Sequence, residues 1–147
     1  MRITLSAATF AMLLGASVLA IPAEAAKSAD PSLYTRLGGK PAIRAVVEDF
    51  VGNVANDGRI NKFFAKTNLP HLRYLLTEQI CQGTGGPCRY KGRNMKEAHK
   101  TLGIAGMDFG ALVEDLQQSL KKFGVPAREQ GELLAILGPM KRDIVTR

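Results

Sequence analysis

Apolar stripes with the spacing of a helix, each ended by glycine or proline, restrict the fold of this chain most. Members of each stripe recur three or four residues apart, as on one face of an α-helix. The stripes are Ile43, Val46, Val47, Phe50, Val51 and Val54; Leu69, Leu72, Leu75, Leu76 and Ile80; Phe109, Leu112, Val113, Leu116, Leu120 and Phe123; and Leu133, Leu134, Leu137, Met140 and Ile144. No segment alternates convincingly as a strand, so the sequence predicts an all-α fold.

Helix stops divide these stripes into separate elements. Gly38-Gly39 ends a first short helix and Pro41 begins the second. Residues 82–94, QGTGGPCRYKGRN, contain four glycines and one proline and predict a long irregular loop, which in a compact domain is usually functional. A short helix is expected from Met95 to Leu102, and a bend at Gly138-Pro139 in the last helix.

The first 25 residues have the pattern of a secretory signal. One early cation is followed by an apolar run and by Ala23-Glu24-Ala25, a small-residue cleavage site. The run is too short for a stable membrane anchor. We therefore expect a signal peptide at 1–25, a flexible leader at 26–32, a single domain at 33–147, and export to the periplasm.

The chain is basic, with a formal net charge of +7. A basic balance can indicate binding to nucleic acid or to anionic surfaces. The cations look scattered rather than clustered, and an exported protein rarely meets nucleic acid. The charge is therefore interpreted mainly as a source of solubility, with some attraction to anionic groups.

Cys81 and Cys88 are the only cysteines of the chain. In an exported protein, two cysteines this close in sequence most simply form a disulfide, which would pin the glycine-rich segment between them. The alternative is a zinc site that adds His71 and His99, but these spacings match no compact zinc pattern.

His99 ends the segment MKEAH and is one of only two histidines. On a short helix it shares a face with Met95 and Leu102. A buried, hydrogen-bonded histidine is the ordinary interpretation of such a position. The alternative is an axial ligand of haem iron, because a porphyrin needs apolar walls, one strong axial nitrogen and cations near its propionates.

Several motifs in one order resemble the truncated haemoglobins, most closely those of group I. They are LYTRLGG, AIRAVVEDFV, FFAKTN, TGGPCRYKGRNMKEAHKTLGI and FGALVEDLQQSLKKFGVP, and the resemblance runs from about Leu33 to Val145. It implies a two-over-two helical sandwich around haem b, which makes 33–147 a truncated globin domain.

The resemblance assigns roles to individual residues. His99 matches the proximal iron ligand, and a backbone carbonyl should accept its other ring N–H. Phe64 matches the residue that stacks on the porphyrin. Leu72 and Leu76 match positions that face the bound gas. Four further residues match positions in the walls of the haem pocket: Tyr90, Met95, Ile104 and Phe109. No Cys-x-x-Cys-His motif occurs, so the haem should be held without covalent bonds.

The distal side departs from the family pattern. Many members place a tyrosine after the phenylalanine of the second helix, whereas Val51 follows Phe50 here, and Leu76 aligns with the usual glutamine. With Leu72 and Leu75 nearby, no donor for bound O2 is evident, so weak retention of O2 is expected. His71, Tyr74 and Gln79 are the candidates that could supply a donor or, for His71, a sixth ligand.

The resemblance therefore implies an exported haem protein that binds O2, NO or CO, served by an unidentified reductase or electron donor. Slow NO dioxygenation or peroxidase-like turnover is compatible with it, although no clear acid–base group is present. The alternatives are a six-coordinate haem protein for electron transfer or redox sensing and, if the resemblance is wrong, a haem-free basic helical module. No stable membrane insertion is expected.

Overall fold

The structure is a computed structural model that describes residues 30–147, and within them it contains seven α-helices, two 3₁₀ turns and no strand. The predicted signal peptide and most of the predicted leader lie outside the described residues. The elements are α1 (Leu33–Arg36), α2 (Gly39–Asn56), α3 (Leu69–Gly83), α4 (Met95–His99), α5 (Gly106–Lys122), α6 (Ala127–Leu137) and α7 (Lys141–Ile144), with 3₁₀ turns at Asn61–Phe64 and Gly138–Met140. No helix in 30–147 has the length and apolar character needed to cross a bilayer.

Helix α2 is the centre of the core. All six members of its predicted apolar stripe are buried, and α2 packs against both α3 and α5. Helix α1 packs against α2 and α6, whereas α4 packs against α7. The long helices α3 and α5 are therefore each held in place by their contact with α2.

Side-chain caps begin several helices where the sequence places Ser or Asn. The side chains of Ser32, Asn68 and Asn94 accept backbone N–H groups in the first turns of α1, α3 and α4. Between α1 and α2, Gly38 and Gly39 have φ of 92° and 75°, a region that glycine tolerates best. Because Gly39 already begins α2, the helix starts two residues before the predicted Pro41.

The inward face of α5 differs from its predicted stripe. Asp115 and Ser119 are buried, whereas Phe123 is 46% exposed at the end of the helix. The reason lies on α2: the Ser119 hydroxyl donates to Asp49 Oδ2 at 2.8 Å, and Asn53 Nδ2 donates to Ser119 Oγ at 3.0 Å. Polar partners on the facing helix thus let Ser119 occupy a buried position.

The predicted breaks around the short helices are present. Helix α6 ends at Leu137, and the turn Gly138–Met140 separates it from α7. Helix α4 ends at His99 rather than at the predicted Leu102, which is 38% exposed in the following turn. Gly103 then takes φ of 63° and directs the chain toward α5.

Candidate functional site

His99 is the last residue of α4, and its ring is half-buried. Its Nδ1 lies 2.7 Å from the backbone carbonyl oxygen of Met95, one turn earlier. A carbonyl can only accept, so Nδ1 carries the hydrogen and donates it, as the resemblance implied. The Nε2 atom of the neutral ring then presents its lone pair, which is the form that binds metals.

The residues around Nε2 of His99 suit a metal whose other ligands come from a cofactor and not from protein side chains. No group of three or more His, Cys, Asp or Glu side chains between residues 30 and 147 could hold a metal ion. Cys81 and Cys88 form a disulfide with an S–S distance of 2.01 Å, which confirms the predicted pairing and makes the zinc alternative wrong. A porphyrin supplies four nitrogens itself and needs one imidazole from the protein.

The remaining residues assigned to the haem are mostly half-buried apolar side chains. Phe64, Leu72 and Leu76 pack against the edge of the core cluster. Tyr90, Met95 and Phe109 are also half-buried, and Ile104 is buried at 8% exposure. Such partly covered apolar groups suit the flat, largely apolar faces of a porphyrin. The residues present therefore fit a haem.

Tyr90 holds the irregular segment between α3 and α4 in a defined conformation. Its backbone N–H donates to Gln82 Oε1 at 2.7 Å, and its hydroxyl donates to the carbonyl oxygen of Arg93 at 2.7 Å. Burial raises the pKa of the Tyr90 hydroxyl, which therefore remains a neutral donor. Together with the disulfide, these bonds fix the segment that leads into the helix of His99.

The gas-facing side assigned from the resemblance is apolar. Phe50 and Val51 are buried at 6% and 1% exposure, and the leucines at 72, 75 and 76 are half-buried. None of these five side chains carries a hydrogen-bond donor.

Two of the candidate donors on α3, His71 and Gln79, contact other side chains. His71 is exposed, and its ring stacks on Tyr74 with centroids 6.3 Å apart. The Gln79 amide lies 3.3 Å from the sulfur of Met140 and 3.8 Å from that of Met95. In this structure the Gln79 amide is thus turned toward α4 and the 138–140 turn, and its role as a distal donor stays a prediction.

The cations are clustered, which corrects the expectation that they are scattered. Five exposed cations lie within residues 89–100, and three more follow residue 140. Helix α4, in the first segment, packs against α7, in the second, and the backbone of Arg147 donates to the carbonyl oxygen of Ile104. The run at 89–100 was visible in the sequence, whereas its continuation required the tertiary packing. We call this set the basic face: Arg89, Lys91, Arg93, Lys96, Lys100, Lys141, Arg142 and Arg147.

Comparison with known proteins agrees with this geometry. The family model of the bacterial-like globins matches residues 32–146. The group 1 truncated haemoglobin of Tetrahymena pyriformis is 33% identical over 114 residues, which cover 78% of this chain and 94% of that protein. The chain belongs to the group 1 truncated haemoglobins. It is therefore a haem-binding globin.

Solved structures of truncated haemoglobins confirm the fold. The Fe(III) form of the Tetrahymena pyriformis protein has a TM-score of 0.75 and covers 79% of this chain and 99% of its own. The cyanomet form of the two-over-two haemoglobin of Synechococcus sp. PCC 7002, which carries covalently attached haem, has a TM-score of 0.73 at 31% identity, with the same coverage of both chains. The predicted all-α truncated globin fold is confirmed.

Proposed function

We propose that this chain is an exported haem protein that binds O2, NO or CO at an iron ligated by Nε2 of His99. The observation that supports it most directly is the hydrogen bond from His99 Nδ1 to the Met95 carbonyl oxygen, which fixes the ring in the metal-binding tautomer. When bound, haem b supplies the open coordination position at which a diatomic gas binds.

The residues assigned to the gas-facing side of the haem are apolar. By the resemblance, Val51 and Leu76 take the positions at which many relatives carry a hydroxyl or amide that stabilises the superoxide-like charge of bound O2. Such a donor contributes roughly 1–3 kcal/mol, or about a ten- to hundredfold longer retention. The expected behaviour is rapid O2 release and comparatively good binding of CO and NO, with electrons from an external reductase to keep the iron ferrous.

Non-covalent attachment of the haem is part of the proposal. The chain has no Cys-x-x-Cys-His motif, and both cysteines are already joined to each other. The Synechococcus relative carries covalently attached haem, and extraction of the haem distinguishes the two modes of attachment. Acid–acetone extraction should leave colourless protein of the mass of the polypeptide, whereas a retained haem mass would contradict non-covalent binding.

Export is supported by the pattern of residues 1–25 and by the disulfide between Cys81 and Cys88, since such bonds persist in oxidising compartments. The amino terminus of the protein recovered from the periplasm should be Ala26. The six-coordinate alternative lacks comparable support, because His71 is exposed and stacked on Tyr74.

Absorption spectroscopy tests the central assignment. The purified protein should show a Soret band that shifts on reduction and again on addition of CO. His99→Gly should lose that spectrum, and His71→Gly, which removes the only other histidine, should keep it. Unchanged optical features in His99→Gly, with no imidazole in the buffer, would contradict ligation by His99.

A further inference from the structure

The net charge of residues 30–147 is carried by two segments, and α4 in the first packs against α7 in the second. The segments 89–104 and 141–147, which carry the basic face, contain eight cations and two carboxylates, Glu97 and Asp143. The rest of residues 30–147 contains ten cations and ten carboxylates. A local excess of this size produces a directed electrostatic field, whereas the remaining surface has no net charge of its own.

Ion pairing shows the same asymmetry. Outside the basic face, six of the ten cations described form salt bridges, such as Arg36 with Glu129 and Arg59 with Glu114. Within the basic face, only Lys100 does so, with Glu97 at 2.8 Å. Seven exposed cations in this part of the structure thus remain available to an external anion.

The position of the face relates it to the iron site. It includes the loop that leads into α4 and the surface of α4 itself, the helix that ends at His99. A porphyrin has two propionates, so haem binding accounts for few of these cations. Two exposed apolar side chains lie close by in sequence: Leu102, 38% exposed after α4, and Met107, 82% exposed at the start of α5.

We propose that the basic face docks the acidic surface of a one-electron donor protein that reduces the haem iron. This inference rests on the proposed function, which requires ferrous iron. In the step itself, one electron passes from the reduced cofactor of the donor to Fe(III), giving Fe(II) and the donor oxidised by one electron. Cationic charge guides encounter, and a small apolar contact with charged surroundings suits a short-lived complex.

A protein partner fits this surface better than an anionic membrane. Helix α4 has five residues, too few for an amphipathic helix that lies in a bilayer surface. The large apolar side chains exposed nearby are the two just named, which offer little area for insertion. Docking beside the helix of His99 also shortens the path for the electron.

The test uses the ferric holoprotein and flavodoxin, a small acidic protein with a one-electron flavin. Calorimetry with oxidised flavodoxin measures docking without electron transfer, and stopped-flow mixing with reduced flavodoxin measures the reduction rate. The variant is Lys91→Glu/Lys96→Glu. Its control is Arg44→Glu/Lys121→Glu, which changes the net charge equally at exposed sites elsewhere.

Reversal on the basic face should weaken flavodoxin binding and slow second-order reduction by about tenfold at low salt, with less than about a twofold effect in the control. Raising the salt from about 10 mM to about 150 mM should reduce the difference. Equal effects in both variants, or none, would overturn the proposal. So would flavodoxin binding that stays unchanged in Lys91→Glu/Lys96→Glu while that variant loses haem or loses binding to phosphatidylglycerol vesicles.

These outcomes are separable from failure of the proposed function. A colourless protein without a Soret band would refute haem ligation, yet the calorimetric comparison with oxidised flavodoxin could still be made. Conversely, a normal gas-binding spectrum with equal flavodoxin affinity in both variants would refute only the docking surface.

Discussion

The carbonyl oxygen of Met95 accepts a hydrogen bond from Nδ1 of His99 at 2.7 Å, within a helix of only five residues. The acceptor is backbone, so its position depends on α4 rather than on a side-chain rotamer. Orientation of the imidazole is thereby tied to the helix, and the opposite nitrogen is left as an acceptor. Such a partner also increases the basicity of a ligating ring.

Chemical rescue should reveal this bond. In His99→Gly, added imidazole should restore the Soret band because it can both ligate iron and donate to the Met95 carbonyl. 1-Methylimidazole can ligate but has no second N–H, so it should bind about fivefold more weakly, the value of one hydrogen bond of about 1 kcal/mol. Spectral titrations measure both constants. Equal affinities would show that the carbonyl does not contribute.

A donor restored on the apolar side should prolong O2 retention. Val51 is 1% exposed on α2, next to Phe50. Val51→Tyr should slow O2 dissociation by about ten- to hundredfold, because a hydroxyl can donate to bound O2. Val51→Phe adds similar bulk without the hydroxyl and should not slow it. Stopped-flow dissociation rates that change equally in the two variants would indicate a steric cause instead.

Gly86 is required because its neighbours leave no room for a side chain. A Cβ there would lie 2.5 Å from Cδ2 of Tyr34 and 2.6 Å from Sγ of Cys81. Gly86→Ala should therefore lower the free energy of unfolding by about 1–3 kcal/mol. Gly58→Ala, where a Cβ meets nothing within 4 Å, is the control and should stay within about 0.5 kcal/mol in urea denaturation.

Asp49 should make stability dependent on pH. Its hydrogen bond with Lys122, followed by that from Ser119, lowers the pKa of the carboxyl below its usual value. The ionised form is therefore favoured by folding, and its contribution is present above about pH 4 and lost as pH falls further.

Asp49→Asn should accordingly cost about 1–2 kcal/mol at pH 7, and the difference from the natural chain should shrink below about pH 4. Glu48→Gln, which removes an exposed pair with Arg44, should cost less than about 0.5 kcal/mol. A constant penalty for Asp49→Asn between pH 7 and pH 3 in urea denaturation would contradict the assignment.

The sequence by itself determined the helical class, the helix breaks and the buried stripe of α2. The spacing of apolar residues and the positions of helix-ending residues are local properties of the sequence. A helix requires only that one face be apolar and that glycine, proline or a cap end it. The pairing of Cys81 with Cys88 was predicted because the two cysteines lie only seven residues apart. A backbone carbonyl partner for His99 was expected instead from the resemblance, as the second contact that a ligating imidazole makes.

Only the tertiary structure decided what depends on distant segments. Ser119 is buried because α2 faces it with polar groups, and Gln79 turns to Met140, which lies 61 residues away. The basic face exists because α7 folds onto α4 and adds its cations to those of the preceding loop. A side chain's environment is set by what packs against its helix, and no local pattern contains that information.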